Sequence, residues 1–302
     1  KALHPGENKI TEVDGDKCVE CGACIEACPF GAISERSEIL QVIALLKNKE
    51  LSTMALVAPS ICGQFGPMVD WPRLVAGLKK LGFAGVVPVA LGADVVGKLE
   101  SRELMERRQE GQILFNSCCP SFKNLLMKNY PTLALHVSQT KSPMMVTAEM
   151  VQADAPAAKL VFIGPCLAKK GEAKREGSGL IDAVLTFEEL TALLVAADVN
   201  LAECAPVAEE EIGLMPTAKG INFAHAGGVL AAVTGQENGA KTMAVAGLRN
   251  CQELLTKIAK GAETYEFVEG MGCEGGCIGG PGTLVNTKVA ARALRKATES
   301  NG

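Results

Sequence analysis

The chain has 302 residues, 48% of them apolar and 4% aromatic, with a formal net charge of −4. That is enough apolar content for one large or two medium cores, and the lack of any basic run argues against nucleic acid as a partner. The longest apolar runs, such as 190–199, fall short of the roughly 20 residues that span a bilayer, so no membrane span is expected.

No secretory leader is recognisable. The chain opens on Lys1 rather than Met, which leaves room for a segment upstream. Residues 14–33 form a compact Cys-rich unit around Cys18-x2-Cys21-x2-Cys24-x3-Cys28-Pro29. This is the bacterial ferredoxin run that holds a four-iron, four-sulfur cluster. Its short gaps make a tight loop whose N–H groups can point at sulfur, whereas a zinc site presents two separated Cys pairs. In two-cluster ferredoxins the fourth cysteine ligates the other cluster. Cys28 therefore either completes its own cluster, the simpler reading, or belongs to a second cluster held with upstream chain. Lys1-Ala2-Leu3 and Gly31-Ala32-Ile33 are either remnants of one repeated motif or an ordinary lead-in and its chance echo.

Beyond this unit, strand-like and helix-like patterns alternate. Strands are predicted at 54–58, 86–90, 113–115, 160–163, 183–185, 243–245 and 265–268. A helix is predicted over 37–49, with apolar residues at 39, 40, 42, 43, 45 and 46, and another over 93–109. Thr186-Phe187-Glu188-Glu189 reads as a capping box before a helix ending near Val199. Such alternation predicts an α/β domain with largely parallel sheets. Residues 201–218, with two prolines and an acidic run, read as a solvated connection.

Three later strand-like runs each end in cysteine: Ile113 to Cys118-Cys119-Pro120, Leu160 to Gly164-Pro165-Cys166, and Phe267 to Cys273-x3-Cys277. In open α/β sheets, ligand sites gather at the carboxyl ends of strands. Cys119, Cys166, Cys273 and Cys277 can therefore converge as ligands of a second iron–sulfur cluster; the alternative is a set of buried free thiols. With 12 cysteines in mostly short-spaced sets beside Gly and Pro, the pattern is one of metal binding in a reducing, cytoplasmic interior rather than of disulfides.

Asn116-Ser117-Cys118-Cys119-Pro120, Gly164-Pro165-Cys166-x2-Lys169-x2-Glu172 and Glu269-x-Met271-Gly272-Cys273-x2-Gly276-Cys277-x-Gly279-Gly280 resemble, in order, the three signatures of FeFe hydrogenases; Ala58-Pro59-Ser60 and Gly227-Gly228-Val229 also match. The resemblance implies a small α+β ferredoxin-like unit (1–36) and a two-lobed α/β catalytic domain with largely parallel sheets (37–302). It implies reversible interconversion of H2 with protons and electrons at an H-cluster, a four-iron cluster bridged through cysteine to a two-iron centre with CO, cyanide and azadithiolate ligands. By position, Cys119, Cys166, Cys273 and Cys277 hold the four-iron part and Cys277 is the bridge. Pro59, Ser60 and Lys169 face the cyanides, and Met271 and Met144 border the two-iron centre. Cys118 then passes protons, and the onward route is Glu100, Ser138, Glu103 and the surface near Arg107. Spacing alone reads Glu100-x2-Glu103-x3-Arg107 as a solvated, salt-bridged helix face; the resemblance reads it as that route. Implied partners are a ferredoxin-like electron carrier and maturation proteins that build the two-iron unit.

The chain departs from the best-studied members at several points. Gly164 stands where they have Met, Met144 where they have Gln, Ser121-Phe122 where Gly-Trp is usual, and Gly280-Pro281-Gly282 where a Gly-rich stretch ends in Gln-Pro. A divergent branch is expected. Two other readings stay open: an H2 sensor of low turnover, and a non-catalytic hydrogenase-like assembly protein, which needs neither Cys118, Lys169 nor the acid chain. Cys62 lies close enough to Ser60 in sequence to approach the cofactor. Cys204 and Cys251 read as structural or exposed thiols, and His225 as a satisfied core histidine before a cavity role.

Overall fold

A computed structural model describes residues 2–7, 10–177, 179–235 and 240–299. Lys1, and with it the full Lys1-Ala2-Leu3 comparison, lies outside the described residues. In chain order the elements are β1 (Leu3–Pro5), β2 (Thr11–Val13), α1 (Ala23–Glu26), α2 (Ile39–Lys47), β3 (Thr53–Val57), α3 (Trp71–Leu81), β4 (Gly85–Pro88) and α4 (Ala90–Gln109). There follow β5 (Leu114–Phe115), α5 (Pro120–Asn129), α6 (Pro131–Ala134), α7 (Pro143–Asp154), β6 (Lys159–Ile163), α8 (Ala168–Arg175), β7 (Ala183–Leu185) and α9 (Phe187–Ala196). The last are α10 (Ala218–Asn222), α11 (Gly228–Thr234), β8 (Thr242–Ala246), α12 (Leu248–Ala259), β9 (Phe267–Met271) and α13 (Thr287–Glu299).

The strands after residue 50 form two all-parallel sheets, ordered β4-β3-β6-β7 and β5-β9-β8. Each is the core of one lobe. Parallel strands need crossover connections, and the intervening helices cover both faces. In the first lobe, Leu74 and Leu78 of α3 and Phe187, Leu190 and Leu194 of α9 pack with Ala55, Val57, Val161 and Ile163 on one face. Met144, Met145 and Ala148 of α7 meet Leu56, Leu160 and Phe162 on the other. In the second lobe, Phe122 and Leu126 of α5 and Cys251 and Leu255 of α12 pack with Phe115 and Val268. Val57 is level with both Pro88 and Ile163, and Ile163 with Leu185. The carboxyl ends of these strands therefore form one rim, from which Pro59-Ser60 and Pro165-Cys166 leave.

Helices α3 and α9 start on side-chain caps. The Asp70 carboxylate accepts from Arg73 N at 3.1 Å at the start of α3, with Pro72 in the first turn. The capping box of α9 is complete: Glu189 N donates to Thr186 Oγ1 at 3.1 Å and Thr186 N donates to Glu189 Oε2 at 2.8 Å. Replacing Thr186 by Ala removes one half of that box. It is expected to lower unfolding free energy by about 1–2 kcal/mol, read as a shift in denaturation midpoint.

Three expectations need correction. The segment 86–90 stops being strand at Pro88, and α4 already begins at Ala90. The last predicted strand is displaced toward its cysteines, ending at Met271 rather than 268. The 201–218 connection is only partly solvated: Leu201 and Cys204 are buried, and Leu201 packs on the backbone of Gly77 in α3. The N-terminal hairpin β1–β2 was not anticipated. It is antiparallel and largely exposed, with Leu3 opposite Val13, and three-residue strands with no buried face leave no period to read.

This small ferredoxin-like region is tied to the lobes by charge. Arg175 of α8 grips Glu20 bidentately at 2.6 and 2.9 Å. Lys128 of α5 donates to the carbonyls of Gly15 and Cys18 at 2.6 and 2.8 Å. Lys170 of α8 is buried between Glu35 and Glu189 at 2.9 and 2.8 Å. Gly22, at φ 79, lets the backbone of the cysteine loop press on Leu167 and Pro281, where a Cβ would lie 2.8 Å from each. No helix among the described residues is long and apolar enough to cross a membrane.

Candidate functional site

The rims of the two lobes face a cavity of about 840 Å3, part of it open to solvent. Pro59 and Ser60 reach it from the 3-10 turn after β3, and Cys118 and Cys119 from the turn after β5. Met144 enters from α7, Cys166 from the β6–α8 turn, Lys169 from the first turn of α8, and Met271, Cys273 and Cys277 from the end of β9 and the loop beyond. All ten side chains expected at the second cluster or beside it thus border one space. Cys21 of the ferredoxin-like unit borders it too.

These thiols sit in a poor environment for bare negative charge. Burial, then the neighbouring sulfurs, push Cys166 and Cys277 up to about 12, and Cys273 is raised in the same way. Thiolates here need a positive centre among them. Cys119 Sγ already accepts from Gly272 N at 3.3 Å. In the first set, Cys18 Sγ accepts from Glu20 N at 3.4 Å and Cys28 Sγ from Ala32 N at 3.3 Å. The N–H groups of Phe30 and Ala32 hold Cys28 below the ordinary thiol range, while burial raises Cys21. Among the described residues no group of three or more His, Cys, Asp or Glu could hold a single metal ion. The thiols border a volume instead, as ligands of a multi-iron cluster must.

Two polar groups stand in the wall of the cavity. Ser60 Oγ is fully buried without a hydrogen-bond partner. Lys169 is buried, and although burial works against its charge, Glu172 at 2.5 Å holds it protonated. Its Nζ also donates to Cys118 O at 3.3 Å. A buried unpaired hydroxyl and a buried ammonium fit an anionic, hydrogen-bond-accepting group in the cavity. The donor set therefore fits the implied cofactor.

Behind Cys118 runs a line of polar side chains. Cys118 is buried, and burial followed by the nearby Glu100 charge pushes its thiol up. Glu100 is fully buried, and desolvation raises it to about 7. Its Oε1 lies 3.0 Å from Ser117 N and 3.1 Å from Ser117 Oγ. Ser117 has one hydroxyl proton, and the Thr140 carbonyl at 2.5 Å can only accept it. Its single proton therefore goes either to Glu100 Oε1 or to the Thr140 carbonyl, so the hydroxyl can satisfy only one of the two at a time. Glu100 Oε2 is buried without a partner. No hydrogen bond spans Glu100 and Ser138, although the Ser138 hydroxyl is near enough to favour ionisation of Glu100. Ser138 Oγ donates to Glu103 Oε2 at 2.6 Å, and Glu103 lies 3.8 Å from the half-buried Arg107. Glu100, Glu103 and Arg107 form no solvated face: their line along α4 runs from the interior outward.

The departures have structural counterparts. A Cβ on Gly164 would stand 2.7 Å from the ring of Phe162, which itself lines the cavity. Phe162 thus occupies the room a longer residue at 164 would need. Ser121 lines the cavity, while Phe122 turns into the second-lobe core. Cys62 packs beside Cys277, Ile278 and Ala290 outside the cavity wall, pushed up to about 11 by burial. Cys204 and Cys251 are buried, structural thiols. His225 is exposed, so it is neither a core histidine nor a wall residue. Asn116 and Ser117 were read only as motif letters, yet both prove to be buried partners of Cys118 and Glu100. No spacing rule marks them, because their contacts reach residues 154 and 17 positions away.

Two parallel-sheet lobes closing on a cavity of cysteines, beside a docked ferredoxin-like loop, define an iron–sulfur protein. The family described as "Iron only hydrogenase large subunit, C-terminal domain" matches residues 52–281, and "4Fe-4S binding domain" matches 11–34. The chain belongs to the iron-only hydrogenase family. It is 28% identical to the periplasmic Fe hydrogenase large subunit of Nitratidesulfovibrio vulgaris, over 97% of this chain and 91% of that protein. It is 27% identical to the NADP-reducing hydrogenase subunit HndD of Solidesulfovibrio fructosivorans, over 88% of this chain and 55% of that protein, so it spans about half the length of that relative. It is also 26% identical to the nuclear prelamin A recognition factor of Homo sapiens, over 88% of this chain and 73% of that protein. A solved structure of apo FeFe-hydrogenase HydA1 from Chlamydomonas reinhardtii superposes with a TM-score of 0.69 at 24% identity, covering 86% and 88% of the two chains, which shows a shared fold.

Proposed function

We propose that this chain is a catalytic FeFe hydrogenase, interconverting H2 with two protons and two electrons. Cys119, Cys166, Cys273 and Cys277 would hold the four-iron part of an H-cluster, with Cys277 shared with the two-iron centre. Pro59, Ser60 and Lys169 would meet the cyanides, and Met144 and Met271 would border the two-iron unit. The H-cluster, when bound, supplies the electron and H–H bond chemistry.

The protein supplies proton handling and electrostatics. Cys118 takes or gives a proton at the cavity wall. Glu100 exchanges it near neutral pH, and Ser138, Glu103 and the surface at Arg107 carry it outward. Electrons would enter through the cluster of Cys18, Cys21, Cys24 and Cys28, and Cys21 borders the same cavity. A ferredoxin-like carrier would deliver them from a reducing cytoplasm, and maturation proteins would install the two-iron unit. On this reading the chain divides into an electron-relay unit, 1–36, and an H-cluster domain, 37–302.

The observation that carries this reading is the polar line from the buried Cys118 and Glu100 outward to the half-buried Arg107. An assembly protein that needs only the thiolate frame has no use for a titratable path behind it. The test is infrared spectroscopy of protein matured with the hydrogenase maturation system, followed by hydrogen evolution from a reduced dye. Bands of iron-bound CO and cyanide with steady evolution are expected. No such bands on protein carrying both four-iron clusters would overturn the proposal in favour of an assembly role; bands with negligible turnover would favour a sensor.

A further inference from the structure

Strand β5 ends at Phe115, but its pairing with β9 continues. Asn116 N donates to Val268 O at 3.3 Å. There the backbone of β5 leaves the sheet, and the Asn116 side chain replaces it. Its Oδ1 accepts from Gly270 N at 2.8 Å, and its Nδ2 lies 3.4 Å from Gly270 O. The carboxamide thus imitates a peptide group in the ladder, and the Gly270 N–H fixes which end carries oxygen. Asn116 is fully buried. A primary amide has two N–H donors. With one turned to Gly270 O, the other meets Cys118 Sγ at 3.1 Å.

We infer that Asn116 is a positioning residue that orients the Cys118 thiol. The inference rests on the proton-passing role proposed for Cys118. A thiol sulfur accepts through its lone pairs and donates through one S–H, which rotates about the Cβ–S bond. An N–H occupying one side of Sγ bars the S–H from that side. The proton is then confined to the remaining directions around a sulfur that borders the cavity and lies near Glu100. Because the carboxamide is anchored on β9, the thiol is held in register with the loop that carries Cys273 and Cys277. A preorganised donor of this kind spares the reaction the cost of ordering a rotor.

The test reads the S–H stretching band of Cys118 in the cluster-loaded protein, isolated as the difference between wild type and Cys118→Ala. One narrow band is expected in wild type; several bands, the mark of a free rotor, would overturn the inference even if no Asn116 variant folds. In Asn116→Leu and Asn116→Asp the band is expected to shift and broaden. Hydrogen evolution should fall about ten- to a hundredfold, the usual cost of a misplaced reacting group, with the KM for the dye unchanged. Asp keeps an oxygen for Gly270 N but offers no N–H to sulfur. A role confined to the sheet ladder therefore predicts an unaltered band in Asp, and that result would overturn the inference. The band is read without turnover, so an inactive wild type would refute the proposed function while leaving this geometry separately decided.

Discussion

Cys118→Ala is expected to lower hydrogen evolution by about 10²- to 10⁴-fold, the range for removing a positioned proton donor. The CO and cyanide bands of the matured protein should persist. The expectation follows from the division of labour proposed for two adjacent sulfurs. Cys119 stands at the start of α5 with its sulfur against Gly272 N, among Cys166, Cys273 and Cys277. Cys118 points elsewhere: its sulfur meets Asn116 and feels the Glu100 charge. Removing it takes away a small buried side chain and none of the four proposed cluster ligands. Loss of the bands along with turnover would show that Cys118 holds the cofactor; turnover within about tenfold of wild type would show that it carries no essential proton.

The cysteine frame was legible because the first set is short-spaced, as a 4Fe-4S binding domain requires, and because the later thiols fall at strand ends. Cys119, Cys166, Cys273 and Cys277 each follow a strand or its turn, so a short apolar run ending in Gly, Pro or Cys was a sufficient signal. The orientation of those strands was legible for the same reason, since alternating β and α units leave a parallel sheet as the economical arrangement. What escaped were contacts between residues distant in sequence. That Cys21 would border the same cavity as Cys277 depends on Arg175 and Lys128 docking the loop, and no local pattern pairs those residues with it. Asn116 acts through Gly270, and β5 has only two residues, too few to show a period. Gly164 was legible as a departure, but its cause is the ring of Phe162 two residues earlier, turned into the space that a side chain at 164 would take. Glu269 appeared as a motif letter. It is a fully buried carboxylate accepting from Gly227 N and Leu230 N, both at 2.7 Å, and it joins the start of α11 to β9.

Glu100→Gln separates the two halves of the proton argument, because catalysis and stability should move in opposite directions. A carboxamide is nearly the same size but neither gives up nor takes a proton in this range. Hydrogen evolution is therefore expected to fall by about 10²- to 10⁴-fold, with the CO and cyanide bands retained. Stability behaves otherwise. Burial holds the folded-state carboxyl at about 7, against an ordinary 4.5. Below pH 4.5 the group is protonated in both folded and unfolded chains and has no effect. As pH rises to 7 the unfolded chain releases the proton while the folded one retains it, so wild type loses stability across that window. The loss reaches about 3 kcal/mol above pH 7 as an upper bound. Glu100→Gln lacks this term. Its melting temperature relative to wild type should therefore climb between pH 5 and pH 8, measured anaerobically on the cluster-loaded proteins. A constant difference would mean that Glu100 is ionised throughout and cannot hold a proton for Cys118. An inactive variant showing the climb would place the proton on this carboxyl at neutral pH, beside the thiol that needs it.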